Sequence, residues 1–395
     1  MEEIRRAETW RAFLADRTQK ERLTKEEAAF FAALIESGEF RAAAERITRL
    51  SIAQKKLISK GGSGKKRVVY TYAPTENAVL KVIAWLCYRY DPNMPDNLYS
   101  FRQSLTAKAA VRRLTGAPGI SGMYAYKLDI RNYFNSIDAT LLLSDLKRLL
   151  ADDQALYDFF FAMLTADTAL YEGSVIEEKR GVMAGTPTSP FLANVYLTCL
   201  DRAFAQRGTL YARYSDDIIL FTDSLSELGV CRALVAQTLK ERGLEINTEK
   251  ECVANPHEAW SFLGVSYRNG TIDLSDNTKS KLKGKIRRKA RALCRWKARK
   301  GAEDERAVRA FLRSLNRKLY DETGDGHRFT WTRWFFPLLT TAEGLREIDG
   351  YIVQYARYVA SGRFSRANYR VRYEMLKSWG FRPLVAEYYA QKAPD

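Results

Sequence analysis

Histidine is nearly missing from this chain: only His257 and His327 occur. That argues against a Ser-His-Asp triad, a His-rich metal site and an H-E-x-x-H protease. The five cysteines (87, 199, 231, 252 and 294) are far apart and form no C-x-x-C pair. A zinc ribbon or a disulfide framework is therefore not expected. No run approaches the ~20 apolar residues of a membrane helix, so no membrane partner is expected. The opening MEEIRRAETW is charged and lacks the apolar core of a signal peptide, so the expected location is the cytoplasm. There are no internal repeats. Acidic residues are in deficit, 47 against 64 Lys and Arg, for a net charge of +17. Such an excess repels itself unless a polyanion offsets it. Nucleic acid is the commonest such partner, and 12% aromatic content suits base stacking. Enzyme chemistry here would rest on carboxylates and cations.

Residues 1–60 read as helical. Thr24 and Glu27 form a capping box before AAFFAALIES, and Gly38 ends that pattern. GGSGKK (61–66) reads as a flexible basic loop. RVVYTY (67–72) alternates like a strand, and NAVLKVIAWLCYRY (77–90) reads as a buried helix. YSFRQSLTAKAAVRRL (99–114) reads as a basic helix. YAYKLDI (124–130) is a strand, and Asp138 can cap the helix that follows it. GVMAGTPTS (181–189) is a loop, with Ser189 as N-cap before Pro190. LYARY-SDD-IILF (210–221) has the pattern of a β-hairpin. SFLGVSY (261–267) reads as one short strand. From Lys279 to Lys300 there are twelve basic residues and no acidic one. Leu282, Ile286, Ala290, Leu293 and Trp296 recur there at helical spacing. A basic helix is expected, with Lys281, Lys285, Arg288, Lys289 and Arg295 as candidate phosphate-backbone contacts.

The chemistry centres on Asp216 and Asp217 in the hairpin turn. Adjacent carboxylates repel unless a cation sits between them, although Asp is also an ordinary turn residue. Asp129 ends a nearby apolar strand. If that strand pairs beside the hairpin, Asp129 and Asp216 converge. Two carboxylates can then hold two Mg²⁺ ions roughly 3.5–4 Å apart, with Mn²⁺ a possible substitute. Hard oxygen ligands suit Mg²⁺ better than zinc.

The ordered set KLDIRNYFNSI, AGTPTSPFLANVYL, RYSDDIILF, INTEKE and FLGVSY resembles the successive palm motifs of reverse transcriptases. RVVYTYAP and LYSFRQSLTAKAAVRRL resemble the two fingers motifs before them. The resemblance implies an α+β right-hand polymerase fold: an N-terminal helical extension (1–60), fingers (61–122), a palm with an antiparallel sheet (123–275) and a basic helical thumb (276–395). It implies roles as well. Asp129 and Asp216 match the metal ligands, with the Ile130 carbonyl helping and Asp217 the neighbouring acid. Phe134 falls at the steric gate, which implies deoxynucleotide substrates. Gly185, Thr186 and Pro187 match the loop along the incoming nucleotide. Ala184 stands where many relatives have a glutamine that touches the sugar and triphosphate. Lys250 matches a lysine that protonates pyrophosphate. Phe262, Leu263 and Gly264 resemble a primer grip. Lys65, Lys66, Arg67 and Arg102 are candidate triphosphate clamps.

No second acidic cluster suggests an RNase H domain, and no His-containing endonuclease is visible. The blocks look most like the retron and group II intron-related branch, closest to the bacterial defence-associated reverse transcriptases. That implies cDNA synthesis from dNTPs on a structured non-coding RNA, in anti-phage defence. The alternatives are untemplated or protein-primed DNA synthesis, and an inert RNA-binding module on a polymerase fold.

Overall fold

The structure, a computed structural model, describes residues 1–47, 50–59, 66–178, 181–320 and 330–392. Lys65, nearly all of the 61–66 loop and His327 lie outside the described residues. Packing divides the chain into two units, Met1–Leu114 with Gly122–Asn255, and Thr115–Ser121 with Pro256–Asp395. Residues 256–275 thus pack with the chain that follows them. No described helix is long and apolar enough to cross a membrane.

The first unit begins with helices α1 (Ala7–Gln19), α2 (Lys25–Ser37) and α3 (Glu39–Arg46). The capping box at α2 forms as expected, and Gly38 ends that helix at φ 75°. Trp10, Phe13, Phe31 and Phe40 bury the seam between these helices. Helix does not continue to residue 60. β1 (Gln54–Ser59) instead pairs antiparallel with β2 (Lys66–Thr71), from Gln54 opposite Thr71 to Ser59 opposite Lys66. Cross-strand pairing overrides a Lys-rich segment with little strand signal of its own. α4 (Pro74–Leu86) starts with Pro at its first position, as that residue favours. The next expected helix is shorter than its pattern: only α5 (Ala107–Thr115) forms, and residues 99–106 are irregular.

β3 (Tyr124–Asp129), α6 (Tyr133–Ser136), α7 (Ala139–Leu149) and α8 (Gln154–Thr165) follow. Asp138 caps α7 through the Leu141 N–H at 2.9 Å. β4 (Thr168–Tyr171) and β5 (Ser174–Glu177) complete a sheet ordered β2-β1-β4-β5. α9 (Ser189–Arg207) is buried on nearly every side, as a core helix is. Its cap is Thr188 and not Ser189. Ser189 is already helical, and its hydroxyl donates to the Thr186 carbonyl at 2.9 Å. β6 (Leu210–Tyr214), β7 (Asp217–Thr222), α10 (Leu225–Glu241) and β8 (Cys252–Ala254) end this unit. The second sheet, wholly antiparallel, is ordered β6-β7-β3-β8. α9 and α10 back it.

In the second unit the segment expected as one strand is a hairpin. β9 (Trp260–Phe262) and β10 (Val265–Arg268) join through Leu263 and Gly264, at φ 48° and 90°. Positive φ at both turn positions is the requirement of a type I′ two-residue hairpin turn. Asn269-Gly270 makes the next such turn, into β11 (Thr271–Leu274). The helices are α11 (Asp276–Lys300), α12 (Asp304–Leu319), α13 (Trp331–Phe335), α14 (Glu343–Ser361), α15 (Tyr373–Ser378) and α16 (Leu384–Lys392). α11 buries Leu282, Ile286 and Ala290, while Leu293 and Trp296 are half-buried.

Candidate active site

β3 and β7 pair so that Asp129 lies directly opposite Asp217. Asp216 occupies the two-residue turn between β6 and β7, beside Ser215 at φ 61°. The Ile130 N–H donates to the Asp216 carbonyl at 3.0 Å, which ties the end of β3 to that turn. Three carboxylates thus converge at one end of one sheet. Lys250 Nζ sits 2.7 Å from Asp129 Oδ2. The Asn247 N–H donates to the Asp129 carbonyl at 2.8 Å. Lys127 lies 3.5 Å from Asp217.

Electrostatics at this end are unfavourable for the carboxylates alone. Burial pushes Asp216 above the ordinary carboxylate value, and the charge of Asp129 adds to that. Lys250 and Arg67 oppose the rise, so both stand close enough to act on Asp216. Burial pushes Asp217 up to about 6, with Lys127 opposing and Asp216 and Asp129 adding. The Oδ1 of Asp217 is buried, and the Lys127 ammonium at 3.5 Å is too far to make it a good hydrogen bond. A cation would relieve Asp216 and Asp217. Among the described residues no three His, Cys, Asp or Glu side chains form a ready-made metal cage. Mg²⁺ does not need one, because one or two carboxylates, waters and substrate phosphates complete its shell. An oxygen-only pair at Asp129 and Asp216 therefore fits that ion.

A model of the family described as reverse transcriptase (RNA-dependent DNA polymerase) matches residues 58–267, just over half of the chain. The chain belongs to the reverse transcriptase family. It is 35% identical over 140 residues to the retron Mx65 reverse transcriptase of Myxococcus xanthus, covering 34% of this chain and 30% of that one. It is 28% identical over 106 residues to the retron Ec86 reverse transcriptase of Escherichia coli, covering 26% and 33%. The chain thus spans about a third of the length of the retron enzymes it matches. A solved telomerase from Candida albicans, in complex with a fragment of telomeric RNA, aligns at TM-score 0.48 and 12% identity, over 92% of this chain and 70% of that one.

In this reverse transcriptase-family chain, Phe134 is half-buried beside Tyr133, with ring centroids 5.8 Å apart. Gly181 packs closely against the main chain of Phe134 and Asn135. A Cβ on Gly181 would lie 2.3 Å from the Phe134 carbonyl oxygen, so only glycine fits. The 181–189 loop lies along β2: the Tyr70 N–H donates to the Ala184 carbonyl at 2.8 Å. Gly185 is exposed at φ 100°, and a Cβ there would crowd Val69 and Tyr70. Thr186 is turned inward, its hydroxyl donating to the Met183 carbonyl at 2.9 Å. Pro187 lines a cavity with Phe101 and Phe191. Lys66 and Arg67 are exposed at the start of β2.

Arg102 is placed otherwise than expected. It is 6% exposed and donates to the carbonyls of Pro95, Leu98 and Asp91. Its fork braces the 91–103 segment, and Asp91 is its ion-pair partner at 3.5 Å.

Three further features have little or no signature in the sequence. Arg213 is fully buried, and its guanidinium meets Asp201 at 2.5 Å and the Ser215 carbonyl at 3.3 Å. Lys127 and Asn247 hold Asp217 and Asp129. Gly181 fixes Phe134. A charge inside an apolar strand, two residues before Ser215, is the one available signal for Arg213. Nothing local marks Gly181.

The remaining candidates belong to the second unit. Phe262 is buried, and the Gly264 carbonyl accepts from Thr278 Oγ1 at 2.8 Å. Neighbouring carboxylates partly neutralise α11: Lys279 and Lys283 pair with Glu347, and Lys297 with Asp304. Lys281, Lys285, Arg288 and Arg295 are exposed and Lys289 half-buried, and none of the five has an ion pair among the described residues.

Proposed function

We propose that the chain is an RNA-directed DNA polymerase that copies a structured partner RNA into cDNA from dNTPs. The observation that carries this reading is the meeting of Asp129, Asp216 and Asp217 at one sheet end, with Lys250 against Asp129. Asp129 and Asp216, with the Ile130 carbonyl, would hold Mg²⁺ or, in its place, Mn²⁺. Bound there, such ions sharpen the attacking hydroxyl and stabilise the departing oxygen.

The chain's own groups do the rest. The primer 3′-hydroxyl gives its proton to solvent as its oxygen attacks the α-phosphorus, the bond from that phosphorus to the oxygen bridging the β-phosphate breaks, and pyrophosphate leaves. Lys250 holds a proton for that leaving group. Lys66 and Arg67 offset triphosphate charge, as phosphoryl transfer requires of nearby cations. Phe134 excludes a ribose 2′-hydroxyl. Gly185, which has no side chain, lets the nucleotide approach the loop main chain. Ala184 offers no side-chain hydrogen bond, so the sugar and triphosphate are held by fewer groups than where glutamine stands. We place the activity in the cytoplasm and in anti-phage defence, on the likeness of GVMAGTPTSPFLANVYL to defence-associated enzymes.

The test is template dependence. Changing one base of an RNA template should change which labelled dNTP is added opposite it. Incorporation that ignores the template base, or a product joined covalently to the protein without RNA, overturns the proposal.

A further inference from the structure

Between Gly350 and Tyr373 the chain has no acidic residue but five arginines, at 357, 363, 366, 370 and 372. Aromatic rings are interleaved with them. Tyr351, Tyr355 and Tyr358 follow one side of α14 at helical spacing, the first two with centroids 4.7 Å apart. Phe364, just past the Gly362 cap, stacks on Tyr358 at 4.6 Å with planes 19° apart. Its outer face is open, leaving 54% of the residue exposed, and Tyr369 is 70% exposed.

The segment carrying these rings is anchored. Buried Asn368 donates from Nδ2 to the Arg363 carbonyl at 2.8 Å. Arg357 Nε donates to the Val371 carbonyl at 3.0 Å, and its guanidinium lies 4.9 Å from the Tyr369 ring centroid. The rings are thus held in place before any ligand arrives, which lowers the ordering cost of binding. Arg287 and Arg291 on α11 lie close enough to act on Tyr351. Arg370 pairs with Asp304. Arg363, Arg366, Arg372, Arg287 and Arg291 have no ion pair among the described residues.

We infer that this face of the second unit binds an unpaired segment of RNA, with bases stacked on Phe364 and Tyr369 and phosphates held by the surrounding arginines. The inference rests on the proposed RNA partner. A duplex offers phosphates but no free base face, whereas an unpaired strand offers both. An acidic peptide would match the arginines and leave the rings without a purpose. RNA is the strand present before synthesis starts, so the site takes RNA ahead of product DNA.

The experiment is fluorescence anisotropy with the full chain and a short unstructured RNA, without dNTPs or divalent metal. Phe364→Ala and Tyr369→Ala should each weaken binding about tenfold, within the usual worth of one stacked base. Phe364→Tyr and Tyr369→Phe should bind as wild type. A duplex of equal length should lose much less in the alanine variants. Thermal melts confirm folding. If an alanine variant does not fold, Arg366→Gln should still weaken RNA binding and reduce its salt dependence. Wild-type affinity in both alanine variants, an equal loss for duplex, tighter binding of single-stranded DNA, or displacement of the RNA by polyglutamate would each overturn the inference. A chain that binds RNA through these rings and incorporates nothing would overturn the polymerase proposal and leave this site standing.

Discussion

Arg213 and Asp201 form an ion pair at 2.5 Å with both side chains fully buried. The same guanidinium donates to the Ser215 carbonyl, so α9 is coupled through one side chain to the turn that presents Asp216. Tyr211 donates to Asp201 Oδ1 as well, at 2.9 Å. Removing one partner leaves an uncompensated buried charge. Arg213→Met is therefore expected to destabilise the chain by about 3–5 kcal/mol, and Arg213→Met with Asp201→Leu by much less. Denaturant midpoints of the three proteins check this. A single variant that unfolds with wild type contradicts it.

Asp217 carries a pH signature. Its folded value of about 6 lies above the ordinary 3.8. The folded chain therefore holds that proton more tightly than the unfolded chain does. The stability it contributes is complete below the ordinary value and is lost as pH rises through about 6. Asp349 in the second unit, also raised to about 6 by burial, acts in the same direction. Without divalent metal, melting temperature should fall between about pH 4 and 7 from these groups, and Asp217→Asn should flatten part of that fall. Added Mg²⁺ should restore stability at the upper end, because it binds the ionised form. Thermal melts across that range, with and without Mg²⁺, check the sign.

Phe134 and Gly181 make a joined prediction. Phe134→Ala should raise ribonucleotide incorporation relative to deoxynucleotide by about tenfold or more, since it removes a repulsive element. Gly181→Ala must displace the Phe134 main chain, given the 2.3 Å approach. It should weaken discrimination too, along with stability. Competition between rNTP and dNTP on one template reads both.

Lys250→Met should lower the rate constant for incorporation by about 10²-fold or more, the usual worth of general acid–base help, with little change in KM for dNTP. Lys250→Arg keeps the charge against Asp129 and should lose less. Single-turnover rates separate the chemical step from binding.

On α11, exposed and paired cations should behave differently. Replacing Lys281, Lys285 and Arg288 by Gln should reduce the slope of log affinity against log salt by about 0.9 for each phosphate no longer neutralised. Replacing Lys279 and Lys283, which pair with Glu347, should mainly affect stability. Affinity titrations for a primer–template duplex at several salt concentrations distinguish the two sets.

The carboxylates and their sheet were legible because strand periodicity and motif order are local signals. So were the α2 and α7 caps, where Thr24 and Asp138 sit at the expected positions. β1 was not, because QKKLIS gains its strand character from pairing with β2. The α9 cap slipped by one residue, since Thr188 and Ser189 are both capping types and only geometry separates them. Arg102 looked like a surface cation, but main-chain carbonyls 4 to 11 residues earlier enclose it. Counterions for α11 come from Asp276 at its own start and from Glu347 and Asp304, all outside the run of cations.

Primer extension decides the matter most directly. With an RNA template, a DNA primer, dNTPs and Mg²⁺, the wild-type chain should extend the primer, while Asp129→Ala and Asp216→Ala, folded as judged by their melts, should add nothing measurable. Extension that persists in either variant would contradict the assignment of these two carboxylates.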